Sequence, residues 1–431
     1  MLSKIKTLSQ KLTTGQPNSS KSKDQYIVAL DIGTENVKSL IGRIKGDKVE
    51  VIGVGLKHQR ISDMAAGAIA DIAGVVRNCD EALSQAEEQA GISVRTAIIG
   101  IAGELVKGTT TTVRVNRKNP EKPLDFLEVE KIIGLVQDRA ENRAKQQLAW
   151  ELGGKEVDVR LVNSALVSMD IDGYAVTNPI GFQGKEILVQ LYTAFAPMIH
   201  IGALERTATE LDLDLLAVAA EPFAVSRSVI GNDANNSTSA VLMDVGGGTT
   251  DIAIVKEGGV QGTKMFGIGG RSFTKSIERD LAIDFDEAEE VKLSIENNKL
   301  PEHKVATAKQ AIEKTLDVWV SGVELALGEF NKLDHLPNKL LLCGGGSSLT
   351  QMLERLEKSD WYKELPFTRK PTVQHIHPRQ VSNIIDKTGQ VDDHTYITAL
   401  GLLRVGHDTL SMDDSPESGT IKQKIDRMLR I

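Results

Sequence analysis

Ala240-Val-Leu-Met-Asp244-Val-Gly246-Gly247-Gly248-Thr249-Thr250-Asp251-Ile-Ala-Ile-Val255 is the stretch on which the fold turns. Residues 240–243 are a short apolar run that stops at a carboxylate and three glycines, and residues 252–255 are a second such run. Apolar runs of that length bounded by chain breakers read as buried strands, so the stretch predicts a strand–turn–strand hairpin. The pattern occurs twice. Tyr26-Ile-Val-Ala-Leu30-Asp31-Ile-Gly33-Thr34 leads into the apolar residues 37–44 in the same way. Laying one hairpin on the other pairs Asp31 with Asp244 and Gly33 with Gly246, an offset of 213 residues in a chain of 431. A chain of that length exceeds one core, and a repeat at half its length is what two related domains facing one cleft produce.

More glycine turns follow at Gly267-Ile-Gly269-Gly270 and, after a predicted strand at 339–342, at Cys343-Gly344-Gly345-Gly346. Any one of them reads as a connection between strands. Together, at strand ends, they read as phosphate-binding turns. Such a turn needs inward backbone N–H groups with no Cβ in the way, and a carboxylate that holds Mg²⁺ through water. Asp31 and Asp244 fit the metal role; Thr34, Thr249 and Thr250 offer hydroxyls to a phosphate. Gly344, Gly345 and Gly346, ahead of a helix predicted from residue 348, could pass close to a base or ribose. No Gly-x-x-x-x-Gly-Lys-Ser/Thr and no Gly-x-Gly-x-x-Gly opening a helix occurs, so P-loop and Rossmann sites are unsupported.

Hydrophobic residues at 41% and charged residues at 26% describe a folded chain rather than a disordered or fibrous one. The longest apolar runs, such as 96–102 and 215–220, fall well short of the roughly 20 residues that cross a bilayer, so no transmembrane helix is expected. A net charge of −8 gives no field that attracts nucleic acid. The two cysteines, Cys79 and Cys343, and an amino terminus without a secretory apolar core argue against a disulfide scaffold and predict a cytoplasmic protein. His375-x-His377 lacks a Cys or acidic partner nearby, so a metal site is not expected there. The periodicity predicts helices over 71–90, with Cys79 in the core and Gly91 as the stop, over 127–152 and over 198–210.

These residues resemble the actin, sugar-kinase and heat-shock-chaperone ATPase superfamily. Residues 28–34 look like its first phosphate motif, 242–252 like its second and 341–349 like its adenosine motif; Glu221-Pro222-Phe223-Ala224 and residues 396–403 look like its connecting helices. Within it the chain is most similar to the bacterial cell-division FtsA family. Residues 98–103, Asn178-Pro179-Ile-Gly181 and Gly269-Gly270-Arg-Ser-Phe-Thr274 resemble that family's own segments, although the middle of its inserted subdomain, 142–157, looks long.

The resemblance implies an α/β, actin-like fold: two RNase H-like domains around an ATP cleft, an inserted α+β subdomain and a C-terminal amphipathic helix. The expected divisions are a basic tail (1–25), a first domain (26–93 and 192–237), the inserted subdomain (94–191), a second domain (238–270 and 338–406) with its nucleotide-side subdomain (271–337), a linker (407–419) and a membrane-targeting helix (420–431). It implies ATP and Mg as cofactors. Asp31 and Asp244 would order the Mg²⁺ waters, and Gly33, Thr34, Gly246, Gly247, Gly248 and Thr249 would hold phosphates. Gly269, Glu289, Lys292 and Gly344 to Gly346 would face ribose and base, and Glu221 would position the attacking water. The implied partners are other copies in a filament, a tubulin-like FtsZ homologue, other division proteins and inner-membrane lipids. Alternatives are a pilus-assembly ATPase and a sugar or acid kinase of the same superfamily; whether ATP is hydrolysed stays open.

In residues 420–431, Ile421, Ile425, Met428 and Leu429 fall on one helical face, while Lys422, Lys424, Arg427 and Arg430 outnumber Asp426. Such a helix docks on its own domain or lies in a membrane interface; the acidic, breaker-rich residues before it and the basic excess favour the membrane. At the other end Leu2, Ile5, Leu8 and Leu12 share one arc beside Lys4 and Lys11. That segment reads as a disordered tail, or as a second anchor.

Overall fold

The computed structural model describes residues 25–230, 238–295 and 301–413. The first hairpin is β1 (Gln25–Ile32) and β2 (Asn36–Lys45), continued by β3 (Lys48–His58). Helix α1 (Ile72–Ala90) starts where the Asp71 carboxylate accepts the Ala73 N–H and ends where Gly91 turns left-handed, and it buries Val75, Cys79, Ala82 and Ala86. Strand β4 (Thr96–Ile101) follows. Next comes an excursion of β5 (Lys107–Asn116), α2 (Phe126–Glu151), β6 (Val159–Ile171) and β7 (Glu186–Pro197). The chain returns through α3 (Met198–Glu210), β8 (Asp214–Ala220) and α4 (Glu221–Ile230).

The second hairpin is β9 (Ala240–Val245) and β10 (Thr250–Lys256), continued by β11 (Gly259–Phe266). Helices α5 (Gly270–Leu281), α6 (Phe285–Ser294) and α7 (Glu302–Gly328) precede β12 (Lys339–Cys343), α8 (Thr350–Lys358) and β13 (Thr372–His375). Strand β14 (Ile384–Asp386) and α9 (Ile397–Asp413) complete the described chain.

The sheets repeat one another. The first runs β8-β4-β1-β2-β3-β14 and the second begins β13-β12-β9-β10-β11. In each, an antiparallel meander of three strands carries two parallel strands on its first member. This is the actin-like architecture expected from the sequence. The excursion strands β5, β7 and β6 extend the second sheet through one bridge between Thr109 and Gly262.

Three expected boundaries are corrected. Strand β4, assigned from sequence to the inserted subdomain at 94–191, lies between β1 and β8 in the first sheet, because Ala97, Ile98 and Ile99 are apolar on both faces and fill its centre. Residues 384–406, assigned to the second domain, belong to the first: β14 pairs with β3, and α9 lies on β1, β2 and α4. Gly406 permits this, since a Cβ there would fall 2.3 Å from Ile27 Cδ1. Residues 407–413, read as linker, continue α9. Asp408 is buried between Arg227 (2.7 Å) and Arg404 (3.1 Å), so its charge is paired rather than solvated. Gln25, the last residue of the expected tail (1–25), opens β1, while residues 1–24 and 414–431 lie outside the described residues.

Candidate functional site

In the first hairpin the register sets Asp31 directly across from Lys38, and Lys38 Nζ donates to Asp31 at 3.3 Å. Burial alone would lower the Lys38 pKa, but attraction from Asp31 and Asp244 overcomes it and holds the ammonium above its ordinary value. In the second hairpin the same register sets Asp244 across from Asp251. Thr249 Oγ1 donates to Asp251 at 3.0 Å, and Thr398 of α9 donates to Asp244. Burial, then the Asp244 charge, pushes Asp251 up to about 8, and burial raises Asp244 as well.

Glu221 opens α4 and reaches over β4, where Gly100 leaves room for it: a Cβ at Gly100 would sit 3.0 Å from Glu221 Oε1. Burial, then repulsion from Asp31, Asp251 and Asp244, raises the Glu221 carboxyl well above its usual range. Three buried carboxyls, Asp31, Asp244 and Asp251, therefore converge with the half-buried Glu221, and Lys38 is the cation whose charge acts on Glu221 and Asp244 and pairs with Asp31. That imbalance suits an added cation. Among the described residues no three His, Cys, Asp or Glu side chains are placed to grip a metal directly.

Close backbone approach explains the glycines. Gly344 has φ +80°, and a Cβ there would fall 2.1 Å from Asp244 Oδ1. A Cβ at Gly269 would fall 2.6 Å from the Gly246 carbonyl oxygen. The start of α5 is thereby pinned to the second glycine turn, Gly270 N–H donating to Gly246 O at 2.9 Å and Arg271 N–H to Gly247 O at 2.8 Å. On α6, Lys292 Nζ donates to Glu289 Oε2 at 2.7 Å and to Thr274 Oγ1 at 2.8 Å.

All of this surrounds one cleft of about 690 Å³. Of the residues expected from sequence, Asp31, Gly33, Thr34, Glu221, Asp244, Gly246, Gly247, Thr249, Glu289, Lys292, Gly344, Gly345 and Gly346 line it. Gly248 and Gly269 stand behind the lining, Gly248 against Thr34 and Gly269 against Gly246. Ile421, Ile425, Met428 and Leu429 lie outside the described residues. Sequence reasoning missed Lys38, Glu35, Arg271, Tyr396 and Thr398, which also line the cleft. Lys38 had a signal, because the 213-residue offset carries it onto Asp251; Arg271 and Thr398 lie within the segments 269–274 and 396–403 singled out for their family likeness, but nothing local marked either side chain as part of the cleft.

The sequence model of the family described as "Cell division protein FtsA" matches residues 241–401, which spans the second hairpin, the glycines at 344–346 and the start of α9. A relative described as "Cell division protein FtsA" from Neisseria meningitidis is 25% identical over 423 residues, covering 93% of this chain and 94% of its own. The chain is similar to the FtsA family, through the model over 241–401 and through relatives at 24–28% identity. The FtsA relative from Bacillus subtilis is 28% identical over 272 residues, 62% of this chain and 58% of that one. Among solved structures, a "PilM-PilN type IV pilus biogenesis complex" superposes with a TM-score of 0.64 at 16% identity, over 88% of this chain and 98% of that one; this likeness shows the shared fold alone.

Proposed function

We propose that this chain is an ATP-binding cell-division protein that polymerises on the inner face of the cytoplasmic membrane and anchors an FtsZ-type filament there. The observation that carries the nucleotide reading is the cradle itself: glycine turns closed so tightly that a Cβ at Gly269 or Gly344 would strike backbone or Asp244, set around buried carboxyls. These residues fit a Mg-nucleotide, which supplies positive charge for the carboxyls and a phosphate chain for the turns. Asp31 and Asp244 hold the metal's waters, Lys38 and the turn N–H groups meet phosphate oxygens, and Glu289, Lys292 and Gly344 to Gly346 face ribose and base. Glu221 holds or releases a proton according to the charge beside it, which suits a group that orients water. Similarity to FtsA relatives along nearly the whole chain supports the division role.

The membrane reading rests on residues 420–431. Four apolar side chains buried at an interface yield roughly 6–12 kcal/mol at most, and shallow insertion with helix ordering removes much of it, so single molecules bind weakly and polymers bind tightly. Co-sedimentation with anionic liposomes, with and without Mg-ATP and an FtsZ-type protein, tests the whole reading. ATP-dependent pelleting of both proteins with lipid is expected. Failure of the FtsZ-type protein to pellet when this chain does would remove the anchoring role, and ATP-driven phosphorylation of a sugar or acid would favour the kinase alternative.

A further inference from the structure

Arg271 is the one described residue that hydrogen-bonds to both glycine turns of the cleft. Its backbone N–H donates to Gly247 O at 2.8 Å, and its guanidinium Nε donates to Glu35 Oε2 at 2.7 Å on the opposite wall. A second guanidinium nitrogen reaches Ile61 O at 3.4 Å, beyond the end of β3. The arginine side chain is one-tenth exposed and Glu35 about one-quarter, so solvent screens the pair less than a surface bridge. The turns themselves are in contact beneath it: a Cβ at Gly247 would fall 2.9 Å from Glu35 Cβ, and one at Gly248 would fall 2.8 Å from Thr34 Oγ1. The remaining guanidinium nitrogen is buried without a partner. The grip is therefore strong in charge and incomplete in hydrogen bonds, as befits a contact that opens and closes.

We infer that the Glu35–Arg271 pair is a clasp across the cleft that sets how long a nucleotide stays bound, with Arg271 a positioning residue acting through Glu35. The inference rests on the nucleotide reading above. While the clasp is shut, the walls cannot part at the turns, and a ligand between them leaves only when it opens. Loss of a charge-assisted, two-point grip is expected to raise the dissociation rate about 10-fold.

The test is displacement of a fluorescent ATP analogue, with Mg²⁺, from the full chain by excess unlabelled ATP in a stopped-flow instrument. Arg271→Ala is expected to release it about 10-fold faster than the unaltered protein, and Glu35→Gln to release it faster in the same direction. The charge swap Glu35→Arg with Arg271→Glu is expected to return the rate to within about twofold. Should Arg271→Ala fail to fold, Glu35→Gln and the swap carry the comparison. An unchanged rate in the single variants overturns the clasp, as does a fast rate that the swap leaves uncorrected. Absence of any analogue binding to the unaltered protein overturns the nucleotide reading, and the clasp with it.

Discussion

Lys38 and Asp251 hold equivalent places in the two hairpins, each directly across from the aspartate that ends the first strand. One hairpin thus pairs opposite charges and the other pairs like charges, which is destabilising at cross-strand distance. The consequence falls on Asp251, whose carboxyl is raised to about 8 by burial and Asp244, against roughly 3.9 when unfolded. The folded state keeps that proton longer than the unfolded state does. Its contribution to stability is therefore present at low pH and lost as pH rises from about 4 to about 8. Thermal melts of the cation-free protein across that range should fall less steeply for Asp251→Asn, by on the order of a few kcal/mol at the alkaline end. Equal slopes would show that Asp251 does not carry the strain. Asp244→Ala should weaken Mg-ATP binding at least tenfold, as read by calorimetry, while the melting transition stays cooperative. Asp31 and Asp244 were legible in the sequence because both close a strand before a glycine turn. Arg271 was not, since its meaning lies in reaching Glu35, 236 positions away.

At the scale of elements, α1 was legible almost to the residue, because Asp71, Gly91 and the apolar spacing act locally. Strand β4 and helix α9 were legible as strand and helix but assigned to the wrong neighbours. An apolar run buried on both faces looks alike in any sheet, and only long-range packing decides which sheet receives it. The seat of α1 on β3 was likewise hidden. It depends on Gly53 and Gly55, where a Cβ would fall 2.2 Å from Ala86 O and 1.7 Å from Ala82 O. Gly55→Ala should lift the helix from the sheet and cost about 2–4 kcal/mol in chemical denaturation. A loss below about 0.5 kcal/mol would mean that the helix shifts freely on its strand.

For the whole molecule, the described chain begins and ends on the same half. Gln25 opens β1, and α9 runs along β1 with Gly406 against Ile27 and Leu410 beside the same core. In the chain, residues 1–24 precede β1 and residues 414–431 follow α9. Under the membrane reading, replacing Met428 and Leu429 with Glu should abolish liposome binding without altering nucleotide affinity. Full-length protein should hold anionic liposomes more tightly at low salt than a chain beginning at Tyr26, and the difference should vanish at high salt. Identical binding at both salt concentrations would leave 420–431 as the anchor.

Helix α9 touches Asp244 through Thr398 near its start and lies against Ile27 at Gly406, two turns further on. A packed helix of 17 residues keeps its length, so Thr398 at the cleft and the stretch around Leu410 belong to one rigid element. We predict that a spin label near Thr398 and another near Thr409 keep their separation when Mg-ATP is added; a changed separation would show that the element bends.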